Sequence, residues 1–266
     1  MPKLDLPDGR KLAYREEGSG PPLVLVHGSP GDGRSWGRVV PFLKERFRTI
    51  CPDLPGYGGS DRLAFDEPAG RMAAMGTAVA QLIASLAAPV RLVGHSFGGN
   101  IALQAALQAG PGAVERMVLF EPVYFRALQL TGDAAAFDPA AAYFEDYARR
   151  VAAGESQVVR LMIDYWFGEG AFARLPAAVR GYLGGFAAIN AIDVRSTFAC
   201  ACTAPDLAAL RQPVLIVDGE TSPSVVRSIA GALAKLLPNA RTEGLAGANH
   251  GMLDTHPDAV ARLIAT

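Results

Sequence analysis

The sequence predicts an α/β protein: a mostly parallel sheet covered by helices on both faces, with a helical segment inserted late in the chain. Three observations predict it. From Leu23 to Phe120, short aliphatic runs that read as buried strands alternate with apolar-periodic helices. One strand-to-helix junction, Gly94-His95-Ser96-Phe97-Gly98, is a G-x-S-x-G turn. After Pro122 the alternation stops for roughly ninety residues, far too long for a plain connection, and resumes at Pro213. The expected organisation is a core of residues 1–121 and 212–266 with a helical cap, or lid, at 122–211.

The elements follow in order. Lys3–Leu6 and Leu12–Glu16 alternate around Pro7-Asp8-Gly9, a leading hairpin. Leu23–Val26 is a buried strand that ends at His27-Gly28-Ser29-Pro30-Gly31. Trp36, Val39, Val40 and Leu43 fall at helical spacing, and Arg48–Cys51 is a short strand. Pro52 to Ser60 is a loop in which Asp53 suits a side-chain bond to nearby backbone. Met72–Leu86 is an Ala-rich helix, and a strand from Val90 leads through the turn into a helix starting near Gly99. Met117–Phe120 is the next strand, ending at Glu121-Pro122. In the insertion, helices are expected at Phe137–Val151, Gln157–Phe167 and Leu175–Phe186, with aromatics that mostly pack the segment onto the core. Pro213–Asp218 and Arg241–Leu245 are strands around an amphipathic helix carrying Val225, Val226, Ile229, Leu233, Leu236 and Leu237. A final helix opens at Thr255-His256-Pro257-Asp258, a capping-box pattern.

Composition narrows the function. The 266 residues are 50% hydrophobic and 19% charged, which suits one α/β unit with an insertion. Twenty-five basic and 26 acidic residues nearly cancel, so no basic stripe marks a nucleic-acid binder. Three cysteines without framework spacing indicate reduced thiols, and no signal core or spanning run is visible, so a cytoplasmic protein off the membrane is expected. Phosphate-binding glycine motifs and metal-ligand clusters are missing from the sequence, so no cofactor and no metal are expected.

The chemistry centres on Ser96. A serine in a sharp strand–turn–helix corner sits in a strained conformation with its hydroxyl projecting above the sheet edge. Gly94 and Gly98 flank it because a Cβ at either would strike the neighbouring strand or helix. A serine hydroxyl needs a base to take its proton. Of the four histidines, His27 ends a strand beside a glycine loop, His95 adjoins the nucleophile pointing the wrong way, and His256 sits on a surface turn. His250, on a loop after the last strand, is the candidate base. The amide of Phe97 opens a helix and is one candidate oxyanion donor, and the amide of Ser29 is the second. His27, Gly28, His95, Tyr124 and Trp166 are assigned to the substrate-binding wall.

His27-Gly28, Asp53-Leu54-Pro55-Gly56-Tyr57-Gly58-Gly59-Ser60, Gly94-His95-Ser96-Phe97-Gly98-Gly99 and Gly247-Ala248-Asn249-His250 together resemble the α/β-hydrolase superfamily, from Lys3 to Ile264. The resemblance implies an eight-stranded, mainly parallel sheet, a cap after the sixth strand, and a serine–acid–histidine order along the chain. The acid departs from the common pattern: in Gly219-Glu220-Thr221-Ser222, a serine stands where the family usually has aspartate. Some branches carry the acid after the preceding strand, where this chain has Glu121, the first choice; Asp218 and Glu220 are alternatives, with Asp254 behind them.

The expected activity is hydrolysis of a small-to-medium apolar carboxylic ester through an acyl-enzyme. The same residues would serve a carbon–carbon bond hydrolase, a lactonase or thioesterase, or a cofactor-free perhydrolase. A serine nucleophile disfavours the dehalogenase and epoxide-hydrolase branches. A hydrolase-fold protein that only binds ligand is the alternative from another class. The expected partner is a small ester-type molecule, with no nucleic acid or membrane, and the chain is expected as a monomer or homodimer.

Overall fold

Alternation of aliphatic and polar side chains is realised first in β1 (Lys3–Asp5) and β2 (Lys11–Glu17), which pair antiparallel across the Pro7-Asp8-Gly9 turn. The structure is a computed structural model describing residues 1–63 and 67–266. The other strands are β3 (Pro22–Val26), β4 (Arg48–Pro52), β5 (Val90–His95), β6 (Val114–Phe120), β7 (Val214–Gly219) and β8 (Ala240–Leu245). They form one eight-stranded sheet in the order β1-β2-β4-β3-β5-β6-β7-β8. β2 meets β4 antiparallel, and every later pairing is parallel. Val26 lies opposite Gly94, His95 opposite Phe120, and Phe120 opposite Val217, so the carboxyl ends of β3, β5, β6 and β7 finish nearly level. Loops leaving that edge are where sites form in open α/β sheets.

Successive strand residues face opposite sides of the sheet, and each side has its own core. Val24, Val26, Leu92, Leu119 and Ile216 meet α1 (Arg71–Ser85), α2 (Phe97–Ala109) and α10 (Ser224–Leu236). Leu25, Val93, Val118, Phe120 and Val217 meet Trp36 and α12 (Pro257–Ala265). Each such aliphatic, fully buried, contributes about 1.5–3 kcal/mol of transfer free energy. The edge strand β8 exposes Arg241 and Thr242 and half-buries Glu243, charged and polar residues that discourage pairing with another chain.

Between β6 and β7 run α3 (Arg126–Thr131), α4 (Ala134–Ala152), α5 (Val159–Phe167), α6 (Ala171–Arg174), α7 (Ala177–Gly185), α8 (Ala187–Phe198) and α9 (Ala204–Ala208). Helices α4, α5 and α7 occupy the three stretches whose periodicity predicts them. Helix α8 escapes a periodicity reading because Asn190, Asp193, Ser196 and Thr197 are buried in it, leaving no clean apolar stripe. The short turns α3, α6 and α9 escape it too, being four to six residues long.

Three local expectations are corrected. Trp36, Val39, Val40 and Leu43 are all buried, but on two 3-10 turns, Gly33–Trp36 and Val40–Phe42, instead of one α-helix. Pro41 lacks the N–H an α-helix would need there, and its ring would strike the preceding turn. Helix α2 begins at Phe97, two residues before Gly99, because the elbow turns directly into it. No capping box forms at Thr255, which ends its own turn α11 (Met252–Thr255) and whose hydroxyl bonds the Gly251 carbonyl at 3.2 Å and His256 Nδ1 at 2.8 Å. A capping box does form at Thr203 and Asp206, opening α9. Among the described residues, no helix is long and apolar enough to cross a membrane.

Candidate active site

β5 delivers Ser96 into a corner that only a forced backbone can make. Its φ of 56° and ψ of −127° lie far outside the regions favoured by L residues. Strain of this kind costs roughly 1–3 kcal/mol and persists only where the surroundings hold it. Here the Ser96 N–H donates to the Phe120 carbonyl at 2.9 Å, tying the corner to β6. A Cβ on Gly98 would come within 2.3 Å of the Val26 carbonyl oxygen, and one on Gly94 within 2.4 Å of that of Gly98. Both positions exclude any other residue, and the helix starts hard against the sheet.

Glu121 follows β6 with φ of 45°, also left-handed, and its N–H is anchored to the Val217 carbonyl at 2.8 Å. That twist carries its carboxylate across the end of β7. Oε2 accepts from His250 Nδ1 at 2.6 Å, and His250 Nε2 accepts from Ser96 Oγ at 3.0 Å. Oε1 accepts from the Gly219 N–H at 2.7 Å and from Ser222 Oγ at 2.5 Å. A Cβ at Gly219 would sit 2.8 Å from that same oxygen, so the approach needs glycine. Burial pushes the Glu121 carboxyl up, but the hydrogen bonds and charge of His250, with those of Ser222 and Gly219, outweigh it and hold the carboxyl below its ordinary value. Ser222, at the position where the sequence pattern would put an acid, donates to the Glu121 carboxylate instead.

The other carboxylates lie elsewhere. Asp218 is buried at the end of β7, and burial, with the nearby Glu121 charge opposed by Arg227, raises its carboxyl. Glu220 accepts from the Gly247 N–H at 2.9 Å, and Asp254 is exposed and pairs with Arg38 at 3.4 Å. Asp53 braces two turns, accepting from the Gly33 and Gly59 amides at 2.8 Å each.

His95 packs its ring on His250 with centroids 4.9 Å apart and donates from Nε2 to the His250 carbonyl at 3.0 Å. Burial, then the neighbouring His250, lower it to about 3, so its ring is a neutral strut under His250. From above, α5 stacks Trp166 on His250 at 4.9 Å and sets Phe167 edge-on at 5.6 Å. Phe97, first residue of α2, has an N–H with no partner inside its own helix. The Gly28-Ser29 backbone adjoins it: a Cβ on Gly28 would lie 3.1 Å from Ser96 Cβ.

Beside Ser96 opens a cavity of about 520 Å³, walled by Met162, Ile163, Trp166, Leu175, Leu183 and Leu253, with Gly28, His95 and His250 at its floor. Two residues assigned to its wall do not reach it. His27 is fully buried below, donating from Nδ1 to the Gly28 carbonyl at 2.7 Å and accepting the Leu54 N–H at 2.9 Å, so it holds the two loops together. Tyr124 is buried behind Val123 and Phe125, its hydroxyl 3.5 Å from Cys200 Sγ.

One group of residues has no counterpart in the sequence reading. Asp193 and Asn190 of α8 point toward α1, α4 and the loops after β3 and β4. Asp193 accepts from Arg71 Nε at 2.5 Å, Tyr57 hydroxyl at 2.6 Å and Ser29 Oγ at 2.7 Å. Asn190 donates to Ser29 Oγ at 3.0 Å and accepts from Tyr147 at 2.8 Å. Polar residues at i and i+3 within an Ala-rich helix are the only sequence sign of it.

A mainly parallel eight-stranded sheet carrying a serine elbow and a histidine after its last strand defines the α/β hydrolase class. A model of the alpha/beta hydrolase family matches residues 23–263, and the chain belongs to that family. A pimeloyl-[acyl-carrier protein] methyl ester esterase of Methylococcus capsulatus is 30% identical over 95% of this chain and 96% of its own. A non-heme chloroperoxidase of Streptomyces lividans is 27% identical over 95% and 94%. Uncharacterized proteins of Mycobacterium tuberculosis are 38% identical over 112 residues, a match spanning 32% of their length. An esterase of Exiguobacterium antarcticum superposes with TM-score 0.75 at 20% identity over 99% of both chains, a likeness of fold.

Proposed function

We propose that the protein is a serine hydrolase that cleaves carboxylic esters through an acyl-enzyme. The observation that carries this reading is the unbroken hydrogen-bonded chain Ser96–His250–Glu121, at 3.0 and 2.6 Å. Ser96 Oγ attacks the ester carbon while His250 Nε2 takes its proton. Glu121 holds the Nδ1–H tautomer and stabilises the imidazolium. The amides of Phe97 and Ser29 receive the oxyanion, each worth about 2.7–4 kcal/mol of barrier. His250 returns the proton to the leaving alcohol, then activates water to free the acid. Residues 122–211 act as a lid whose α5 aromatics exclude water from the base. Similarity to an enzyme named as a methyl ester esterase supports ester chemistry.

Labelling the full chain with a fluorophosphonate and reading its intact mass tests this. One adduct is expected, abolished in Ser96→Ala, with ester kcat lowered on the order of 10⁶-fold. An unlabelled wild-type chain, or a Ser96→Ala variant that still turns over esters, refutes it.

A further inference from the structure

The space around Ser96 is divided unequally. Besides the 520 Å³ cavity there is a second of about 20 Å³, lined by Ser96, by the apolar Phe97, Val123, Phe125, Phe144 and Val194, and by the polar Ser29, Asn190, Asp193 and Thr197. One water needs roughly 10–15 Å³ on this scale, so the small cavity holds one water or one methyl group. Trp166 and Met162 contribute to both walls and form the partition between them. Packing around the small side is dense: Phe144 stacks on Trp166 at 5.7 Å and tilts onto Phe125 at 5.7 Å. Phe125 and Phe144 are both 1% exposed, so the small cavity does not expand by side-chain swing into solvent.

Which half of an ester occupies which cavity follows from the proton. The leaving oxygen must reach His250 Nε2 to be protonated as the bond to the carbonyl carbon breaks. His250 stands in the wall of the large cavity, so the alkyl group on that oxygen continues into it. The substituent on the carbonyl carbon is then turned toward the Phe97 side, into the small cavity. Met162, Ile163, Leu175, Val179, Leu183 and Leu253 make the large side apolar.

We infer that the substrates are acetate esters of apolar, medium-sized alcohols. The inference rests on the serine hydrolase reading above and specifies its substrate. Ser96 Oγ bonds the acetyl carbon, the alcohol leaves with the proton His250 had taken, and water then releases acetate. A longer acyl chain meets Val194, Phe144 and Phe125. A longer alcohol gains contact.

Hexyl acetate and methyl heptanoate, which share one molecular formula, separate the two orientations. The intact chain is expected to favour hexyl acetate in kcat/KM, and each methylene added along hexyl acetate, propionate and butyrate to cost about tenfold. Val194→Ala is expected to flatten that acyl series, read as the ratio of hexyl butyrate to hexyl acetate kcat/KM within the variant. Preference for methyl heptanoate, a flat acyl series in the wild type, or an unchanged series in Val194→Ala overturns the inference while a Ser96 adduct keeps the hydrolase reading. Failure of both esters with no adduct overturns both.

Discussion

The sheet edge and the helices between β6 and β7 bury polar groups in opposite ways. At the edge, Ser96, His250 and Glu121 form a linear chain that ends in a cavity, held by backbone anchors to β6 and β7. Under α8, Asp193 and Asn190 form a branched network that closes on itself among Arg71, Tyr57, Ser29 and Tyr147. The first arrangement leaves one hydroxyl facing open space and stores backbone strain behind it. The second pairs its polar groups with one another at the edge of the small cavity and joins the helical segment to α1 and the loops after β3 and β4. The hydrogen-bonded chain therefore sits just past the strand ends, while the helices supply attachment and walls of the cavity beside Ser96.

That division can be broken by mutation. The largest expected effect is at the edge: Glu121→Gln, which offers the wrong partner to the imidazole tautomer, lowers ester kcat by about 10⁴-fold. Asp218→Asn and Glu220→Gln should stay near wild type in the same assay; a crippled Asp218→Asn would move the acid to β7. The second effect is on stability. Asp193→Ala removes a fully buried carboxylate that accepts from Arg71, Tyr57 and Ser29 at once and should cost about 3–5 kcal/mol in denaturant unfolding. A small loss there would mean the α8 network is not what joins the two regions.

A smaller effect is expected from the helices on the chemistry. Trp166→Ala removes a ring stacked on His250 and should lower kcat/KM by about 2- to 10-fold, for a contact worth about 0.5–1.5 kcal/mol. A drop as deep as that of Glu121→Gln would erase the distinction drawn between the regions. The smallest is a pH effect. Because the Glu121 carboxyl is held below its ordinary 4.5, its stabilisation is complete above that value and is lost as pH falls through the lowered folded value. The melting temperature of wild type should therefore fall more steeply than that of Glu121→Gln on acidification, and parallel curves would remove the carboxylate from the account.

Much of the sheet is legible in the sequence because strand period, turn residues and the elbow are written in neighbours a few residues apart. Pro7-Asp8-Gly9, Leu23–Val26 and Gly94 to Gly98 each carry their own instructions. Trp36 to Leu43 misleads because apolar spacing alone does not register the cost of Pro41 inside an α-helix. His27 and Tyr124 mislead for another reason: proximity in sequence to a site does not say which way a side chain faces once strands align. Asp193 and Asn190 are barely marked in the sequence, since the Arg71, Tyr57 and Ser29 partners of Asp193, and the Ser29 partner of Asn190, lie more than a hundred residues away.

By itself the sequence determined the strands, the strained corner at residue 96 and the histidine after the last strand, because these depend on local backbone sterics and on chain order. Only the tertiary structure decided which carboxylate meets His250, that Ser222 holds it, and that the space beside Ser96 is split into unequal halves. Those outcomes depend on sheet order and register, and on how side chains from distant segments fill one volume, which no local pattern encodes.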